Sequence, residues 1–138
     1  MSDKKLHLEI VTPSRPILDE EVVSCTVPGE LGGFQVLYNH APILSTLKIG
    51  VMKVEFVNGT TKKYAVSGGT IEVQENHIVI LAESVESEDE IDVKRAMAAL
   101  ERAKKRLADK NKTEVDIARA ESALHRAVNR LKLKNVNF

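Results

Sequence analysis

Arginines recur at fixed intervals in the C-terminal third of this chain of 138 residues. Two triplets share one spacing, in which the later arginines follow the first by seven and eleven positions. They are Arg95, Arg102 and Arg106, then Arg119, Arg126 and Arg130. Seven and eleven residues are about two and three helical turns, so each triplet forms a stripe on a helix. A guanidinium stripe suits an anionic partner, whereas the simpler interpretation is a solvated helix face.

The two stripes belong to an internal repeat. Residues 91–107 and 115–131, shifted by 24, are identical at nine of seventeen positions. Apolar residues in each copy step by three and four, which is typical of one helical face. They are Val93, Ala96, Leu100, Ala103 and Leu107 in the first copy, and Ile117, Ala120, Leu124, Ala127 and Leu131 in the second. The short polar link and an N-cap signal at Thr113 with Asp116 predict an antiparallel helical hairpin.

The apolar seam of this hairpin is rich in alanine. A buried methyl group contributes only about 0.8 kcal/mol, against roughly 1.5–3 kcal/mol for a buried leucine. Because Ala, Leu, Glu, Lys and Arg favour helix by themselves, the helices can keep their form when the seam opens. We therefore expect an arm that can rearrange. The alternative is a rigid capping hairpin.

The remainder of the chain has a different amino-acid composition. All seven glycines lie at or before Gly69 and all four prolines at or before Pro42. Alternating apolar residues, as in Leu6, Leu8 and Ile10, and the Asn58-Gly59 turn signal predict about nine short strands. The predicted organisation is a β-sandwich or flattened barrel over residues 1–85, followed by a helical hairpin over residues 86–138. Gly68-Gly69 is expected to be a bulge or a close backbone approach between sheets.

Composition excludes several functional classes. The net charge is zero, with 20 basic and 20 acidic residues, and aromatic residues are rare in the hairpin, so no nucleic-acid partner is expected. A single cysteine favours a reducing compartment, and the opening residues lack the apolar run of a secretory signal. No membrane span is predicted. The four histidines share no ligand spacing, and no P-loop or nucleophile–base pair is evident, so neither a metal site nor catalytic residues are expected.

Three motifs in the β-rich part carry a family resemblance. They are Pro28-Gly29-Glu30-Leu31-Gly32-Gly33-Phe34, Asn39-His40-Ala41-Pro42 and Ser67-Gly68-Gly69. With the Ala- and Arg-rich hairpin that follows, the chain resembles the epsilon subunits of bacterial rotary F-type ATP synthases. The resemblance implies an all-β sandwich of about ten strands followed by a two-helix domain. It also implies a non-catalytic central-stalk subunit that couples proton-driven rotation to ATP synthesis, with a helical arm that restrains ATP hydrolysis.

The same resemblance implies partners and a location. The partners are the gamma subunit, the ring of c subunits, and the catalytic beta (and alpha) subunits. The location is the cytoplasmic side of the bacterial plasma membrane, peripherally and through the complex. Glu30 and His40 are expected on loops that face the rotor ring, whereas without the family they would be a solvated turn acid and a packed turn histidine. The basic hairpin is expected to meet an acidic segment of the beta subunits.

The resemblance further implies a regulatory nucleotide site, with ATP bound with or without Mg²⁺ and no cofactor required. The residues that match the family's nucleotide motif are Glu86, Ile91, Asp92, Arg95, Ala96, Arg102, Arg126 and Arg130. The second repeat copies this motif at residues 115–120, where the family places no nucleotide. An Asp at a helix start with Arg three residues later is also ordinary dipole and ion-pair chemistry. An alternative function is an ATP-sensing module whose hairpin closes on nucleotide.

Overall fold

The computed structural model of the chain describes residues 4–138. They divide into two compact units, one ending at Ser87 and the other spanning Glu88–Phe138. The first unit consists of strands and the second of helices. The predicted fold class, a β-domain followed by a two-helix domain, is confirmed.

The strands of the first unit close into a ring. They are β1 (Leu6–Val11), β2 (Pro16–Val27), β3 (Phe34–Val36), β4 (Ile43–Phe56), β5 (Thr61–Gln74), β6 (His77–Ala82) and β7 (Val85–Ser87). Strand β1 pairs antiparallel with β2 and parallel with β6, and β6 connects through β5 and β4 back to β2. Short β3 adds to β2, and short β7 adds to β5. The result is a small closed barrel.

The strand count differs from the prediction. The structure has seven strands rather than nine or ten, because β4 and β5 each run for 14 residues. Residues 62–66 and 70–73, expected as separate strands, are two parts of β5. Pairing with β4 keeps the same register on both sides of the glycine pair, since Leu47 is opposite Gly69 and Ile49 is opposite Ser67. The prediction counted one continuous strand twice.

The glycine pair inside β5 is a close backbone approach. Gly68 and Gly69 have φ of +80° and +139°, in the left-handed range that favours glycine. A Cβ on Gly69 would lie 2.2 Å from the carbonyl oxygen of Leu81 in β6. The predicted close approach is present, but it joins the paired strands β5 and β6 of one sheet rather than two sheets.

The hairpin at Asn58-Gly59 forms as predicted, but its turn is longer. Strands β4 and β5 are joined there, and the Phe56 amide donates to the Thr60 carbonyl at 2.8 Å, which leaves three residues in the loop. Gly59 has φ +91°, whereas Asn58 is not in the left-handed region. An Asn-Gly pair is typical of a two-residue turn in which both residues have positive φ, whereas this three-residue loop needs positive φ only at the glycine.

The barrel interior is filled by alternating strand residues. Leu6, Leu8 and Ile10 of β1 are buried, as their alternation predicts. Cys25 of β2 is buried among them as a free thiol, and burial raises its pKa to about 12. The thiol therefore acts as a small apolar side chain.

The second unit contains a 3₁₀ turn at Glu88–Glu90 and two helices, α1 (Val93–Ala108) and α2 (Glu114–Leu133). Ala96 and Leu100, near the start of α1, form a buried cluster with Ala127 and Leu131, near the end of α2. The helices are therefore antiparallel, as predicted. Two leucines and two alanines make up the buried centre of the seam, with half-buried apolar side chains packed around them.

Candidate functional site

Glu30 lies in the turn between β2 and β3 and is tied to β4. Its amide donates to the Thr46 carbonyl at 2.9 Å, and its carboxylate accepts a hydrogen bond from the Thr46 hydroxyl. The side chain is exposed. Hydrogen bonds at both backbone and side chain fix the position of this turn carboxylate, which leaves its free oxygen open to a partner.

His40 lies in the loop between β3 and β4. Its amide donates to the Leu37 carbonyl at 3.1 Å, and its Nδ1 is 2.6 Å from the Ala41 carbonyl oxygen. Its ring lies 6.4 Å from the Phe34 ring, and a Cβ on Gly29 would come within 2.9 Å of that same Phe34 ring. The Phe34 side chain therefore connects the loop of His40 with the turn that carries Glu30.

Large apolar side chains are exposed on the same two loops. Leu31 follows Glu30 and is fully exposed, Leu37 and Tyr38 precede His40, and Leu44 is 72% exposed at the start of β4. Leu44 and Thr46 point to the same side of β4, because side chains alternate along a strand. We call Leu31, Leu37, Tyr38 and Leu44 the loop patch. This patch was not predicted from the sequence. The sequence feature that could have indicated the patch is the occurrence of large apolar residues within Gly- and Asn-rich turns, where polar residues are usual.

The nucleotide candidates of the hairpin lie in one half of it. Asp92, Arg95 and Arg102 belong to the first part of the unit, and the antiparallel packing places the end of α2, with Arg126 and Arg130, beside them. Arg95 and Arg102 are exposed, whereas Arg126 and Arg130 are half-buried. Positive charge from both helices is thus available at this half of the hairpin.

The remaining motif positions have structural places. Ile91 and Ala96 are buried, and Ala96 belongs to the seam. Asp92 is the N-cap of α1, and its Oδ1 accepts from the Arg95 amide at 3.1 Å. Glu86 lies in β7, paired with Ala65 of β5, and belongs to the first unit. The candidate set is therefore divided between the two units.

The second copy of the motif begins its helix differently. Thr113 is the N-cap of α2, and it forms a capping box with Asp116, with hydrogen bonds of 3.1 and 3.2 Å. The predicted cap is confirmed, with Asp in place of the usual Glu or Gln. These hydrogen bonds, with Arg119 nearby, hold the pKa of Asp116 below its ordinary value. Asp92 and its copy Asp116 therefore have different roles. Asp92 is itself the N-cap of α1, whereas Asp116 is the third residue of α2 and completes the capping box of Thr113.

Two histidines that the sequence did not connect meet on the barrel surface. His7 and His77 are direct partners on the parallel pair β1 and β6, and their rings are 5.1 Å apart in an edge-to-face arrangement. His7 contacts the carboxylate of Asp19, and His77 Nε2 is 3.2 Å from Glu9 Oε1. Within residues 4–138, no group of three or more His, Cys, Asp and Glu side chains has a geometry that could hold a metal ion.

Neither helix of the described chain combines the length and apolarity that a membrane crossing requires.

Two family models together match nearly the whole chain. Residues 5–88 match the β-sandwich domain of the ATP synthase delta/epsilon chain. Residues 89–135 match the long α-helix domain of the same chain.

Curated relatives agree with these matches. An ATP synthase epsilon chain of Pelotomaculum thermopropionicum is 48% identical over 110 residues, which is 80% of this chain and 81% of that one. One of Carboxydothermus hydrogenoformans is 46% identical over 108 residues, 78% of this chain and 79% of that one.

A solved structure shows the same fold. A chain of the Euglena gracilis mitochondrial ATP synthase matches with a TM-score of 0.80 at 24% identity, covering 94% of this chain and 81% of that one. The family models and the bacterial relatives together show that this chain belongs to the family of ATP synthase epsilon chains, the non-catalytic subunits of that enzyme.

Proposed function

We propose that this chain is a central-stalk subunit that couples proton-driven rotation to ATP synthesis, and that its helical hairpin restrains ATP hydrolysis. The observation that carries the proposal is the division into a closed β-barrel and a second unit, a hairpin whose helices bury four alanines and three leucines. A unit with a small seam and high helix propensity can exchange one packing partner for another at low cost.

The loop patch is the surface proposed for the rotor. Glu30 and His40 lie on the two loops that also carry the exposed Leu31, Leu37 and Tyr38, and the exposed Leu44 follows at the start of β4. Exposed apolar side chains grouped on neighbouring loops are typical of a protein interface, with the polar groups supplying specificity. The partners proposed for the barrel are the c-subunit ring and the gamma subunit. The chain would then lie peripherally on the cytoplasmic side of the bacterial plasma membrane, held there by the complex.

The hairpin is proposed to act on the catalytic subunits. From Met97 onward it carries eleven basic and five acidic residues. This excess favours contact with an acidic segment of the beta (and alpha) subunits when the hairpin extends, through attraction that is strongest at low ionic strength.

A truncation ending at Ser87 tests the arm. It removes one whole unit and leaves all seven strands. We expect the ATP synthase complex to assemble with the truncated chain, and its ATP hydrolysis to rise above that of the full-length complex. Loss of assembly, or unchanged hydrolysis in an assembled complex, would contradict the proposal.

Charge substitutions test the loop patch. Leu31→Asp with Leu44→Asp puts two carboxylates into the proposed interface, and we expect co-purification with the c-ring to be lost. The matched control is Val115→Asp, since Val115 is an exposed apolar residue at the start of α2. We expect this control to assemble normally. Equal behaviour of the two variants would reject this surface as the rotor contact.

ATP is proposed to hold the hairpin closed. Arg95, Arg102, Arg126 and Arg130 can neutralise phosphates, and the carboxylate of Asp92 can accept from a ribose hydroxyl or an adenine amino group. Among residues 4–138, no acid forms an ion pair within 4 Å with Arg95, Arg102 or Arg126. Mg²⁺ is compatible with this arrangement but not needed for it, because the arginines themselves carry the required charge.

The cap positions provide a matched test of ATP binding. Asp92→Ala and Thr113→Ala each remove an N-cap side chain, one from each helix. Loss of an N-cap usually costs about 0.5–2 kcal/mol, so both variants should loosen the hairpin similarly. We expect only Asp92→Ala to abolish ATP binding in NMR titrations. Equal loss of binding would show that Asp92 acts as a cap alone.

A second candidate function is an ATP-sensing module that signals by hairpin closure, which the presence of arginines on both helices at this half of the hairpin favours. The isolated chain separates it from the first. Millimolar ATP should then shift the NMR signals of Arg126 and Arg130 without any other subunit. Absence of a shift would reject the sensing module, while the truncation test of the arm would still stand.

A further inference from the structure

A cavity of the hairpin lies at the end opposite the nucleotide candidates. It has a volume of about 360 Å³ and is formed where the end of α1 meets the start of α2. Arg106 of α1, Lys112 of the link and Arg119 of α2 line it, and the buried Ala120 contributes an apolar surface. Pockets for small molecules commonly begin at about 300 Å³.

Neither arginine of this cavity forms a close ion pair, although Arg119 is near enough to Asp116 to help lower the pKa of that carboxyl. No carboxylate in residues 4–138 lies within ion-pair distance, 4 Å, of Arg106 or Arg119. Lys112 is oriented by its own link, because its Nζ donates to the Asp109 carbonyl at 2.5 Å. The cavity therefore contains two guanidinium groups, from different helices, whose hydrogen-bond donors are free for a ligand.

The two acids that line the cavity are committed to the backbone. Asp109 Oδ1 accepts from the Asn111 amide at 2.9 Å, and Asp116 Oδ2 accepts from the Thr113 amide at 3.2 Å. They reduce the positive potential without pairing with the arginines. Over residues 104–119 there are six basic and three acidic side chains, so the potential around the cavity stays positive.

We propose that this cavity binds a small phosphorylated anion, a diphosphate or the terminal phosphates of a nucleotide, between Arg106, Lys112 and Arg119. Planar guanidinium groups suit phosphate oxygens, and an ammonium group adds a point charge. The site is concave and formed by a single turn of the chain, which suits a small molecule better than an extended acidic peptide. A ligand that contacts both helices binds the closed hairpin only, so it stabilises that form.

The repeat supplies a matched control. Arg119 and Arg106 are the copies of Arg95 and Arg130, because the repeats are offset by 24 residues. The pair Arg106→Gln with Arg119→Gln changes this cavity. The pair Arg95→Gln with Arg130→Gln makes the same chemical change at the opposite end of the hairpin.

The test uses the full-length chain and inorganic pyrophosphate, followed by NMR at constant ionic strength maintained with sodium chloride. We expect saturable shifts of the amides of residues 111–119. Arg106→Gln with Arg119→Gln should weaken this binding about tenfold or more, because two charge-assisted contacts are lost. The control pair should leave the affinity read from these amides unchanged.

Three results would overturn the proposal. Shifts that chloride alone reproduces would show simple screening, and absence of saturation with millimolar pyrophosphate would show that no site exists. Equal loss of binding in both pairs would show a response to total charge. Titration with ATP then distinguishes a nucleotide from a free diphosphate, since a nucleotide ligand should bind more tightly than pyrophosphate in the same cavity.

Discussion

Truncating Leu100 to alanine tests how weakly the hairpin is held. Leu100 is 1% exposed and belongs to the buried seam cluster with Ala96, Ala127 and Leu131. Replacing a buried leucine with alanine costs about 2–5 kcal/mol, and the half-buried neighbours of this thin seam can partly fill the space, so we expect about 2–3 kcal/mol. That loss corresponds to roughly 30- to 160-fold faster hydrogen exchange of the helix amides that exchange when the hairpin opens.

The assay is native-state hydrogen exchange on the full-length chain, read separately for the helices and the barrel. Leu124 is the repeat copy of Leu100 but is only half-buried. Leu124→Ala should therefore cost about 1 kcal/mol, or about fivefold in exchange. Barrel amides should be unchanged in both variants. If Leu100→Ala leaves helix exchange unaltered, or if both variants act equally, the seam does not hold the hairpin and the releasing arm is refuted.

Three further predictions concern other groups. The free energy of unfolding should fall as pH rises from about 9 towards 12, because the pKa of the Cys25 thiol is near its ordinary value of 9.0 in the unfolded chain and about 12 in the folded chain. Cys25→Ala should lack this part of the pH dependence. In the folded chain, Cys25 should resist thiol reagents. The Asp116 carboxylate stabilises the start of α2, so its pKa in the folded chain is below the ordinary value of 3.8. This stabilisation should be lost as the pH falls from 3.8 through the lower folded pKa. Asp116→Asn should remove this pH dependence from the hydrogen exchange of the α2 amides. Gly69→Ala should prevent or severely weaken barrel folding, since its Cβ would lie 2.2 Å from the Leu81 carbonyl oxygen. Gly32→Ala, also at positive φ but with no atom within 4 Å, should cost only its backbone strain of about 1–3 kcal/mol, so it should lower the melting temperature but leave the barrel folded.

Local signals in the sequence were sufficient for the hairpin and for most strands. The three-and-four spacing placed Ala96, Leu100, Ala127 and Leu131 on buried faces, and all four are buried. The Asn58-Gly59 signal located a turn correctly but not its length, because loop length depends on the register of the paired strands.

Features that depend on distant pairing could not be predicted. His7 and His77 meet because β1 lies parallel to β6, and nothing near either histidine indicates the other. The repeat by itself does not reveal that its two helices begin at different places. Relative to the repeat, the separately predicted N-cap Thr113 begins α2 about one turn earlier than Asp92 begins α1. One cap residue outside the repeated segment changed the role of the aspartate inside it.

The closed ring of strands has a consequence for how the chain folds. Strand β1 completes the ring only by pairing with β6, and the partners His7 and His77 are seventy positions apart in the chain. Such long-range closure is slow, because the entropy of a large loop is lost before the contacts that repay it are formed. During synthesis the first strand must wait until β6 has left the ribosome, with one of its edges unpaired. The helices need only a five-residue link to meet, so they should form within a much shorter time than the barrel that precedes them.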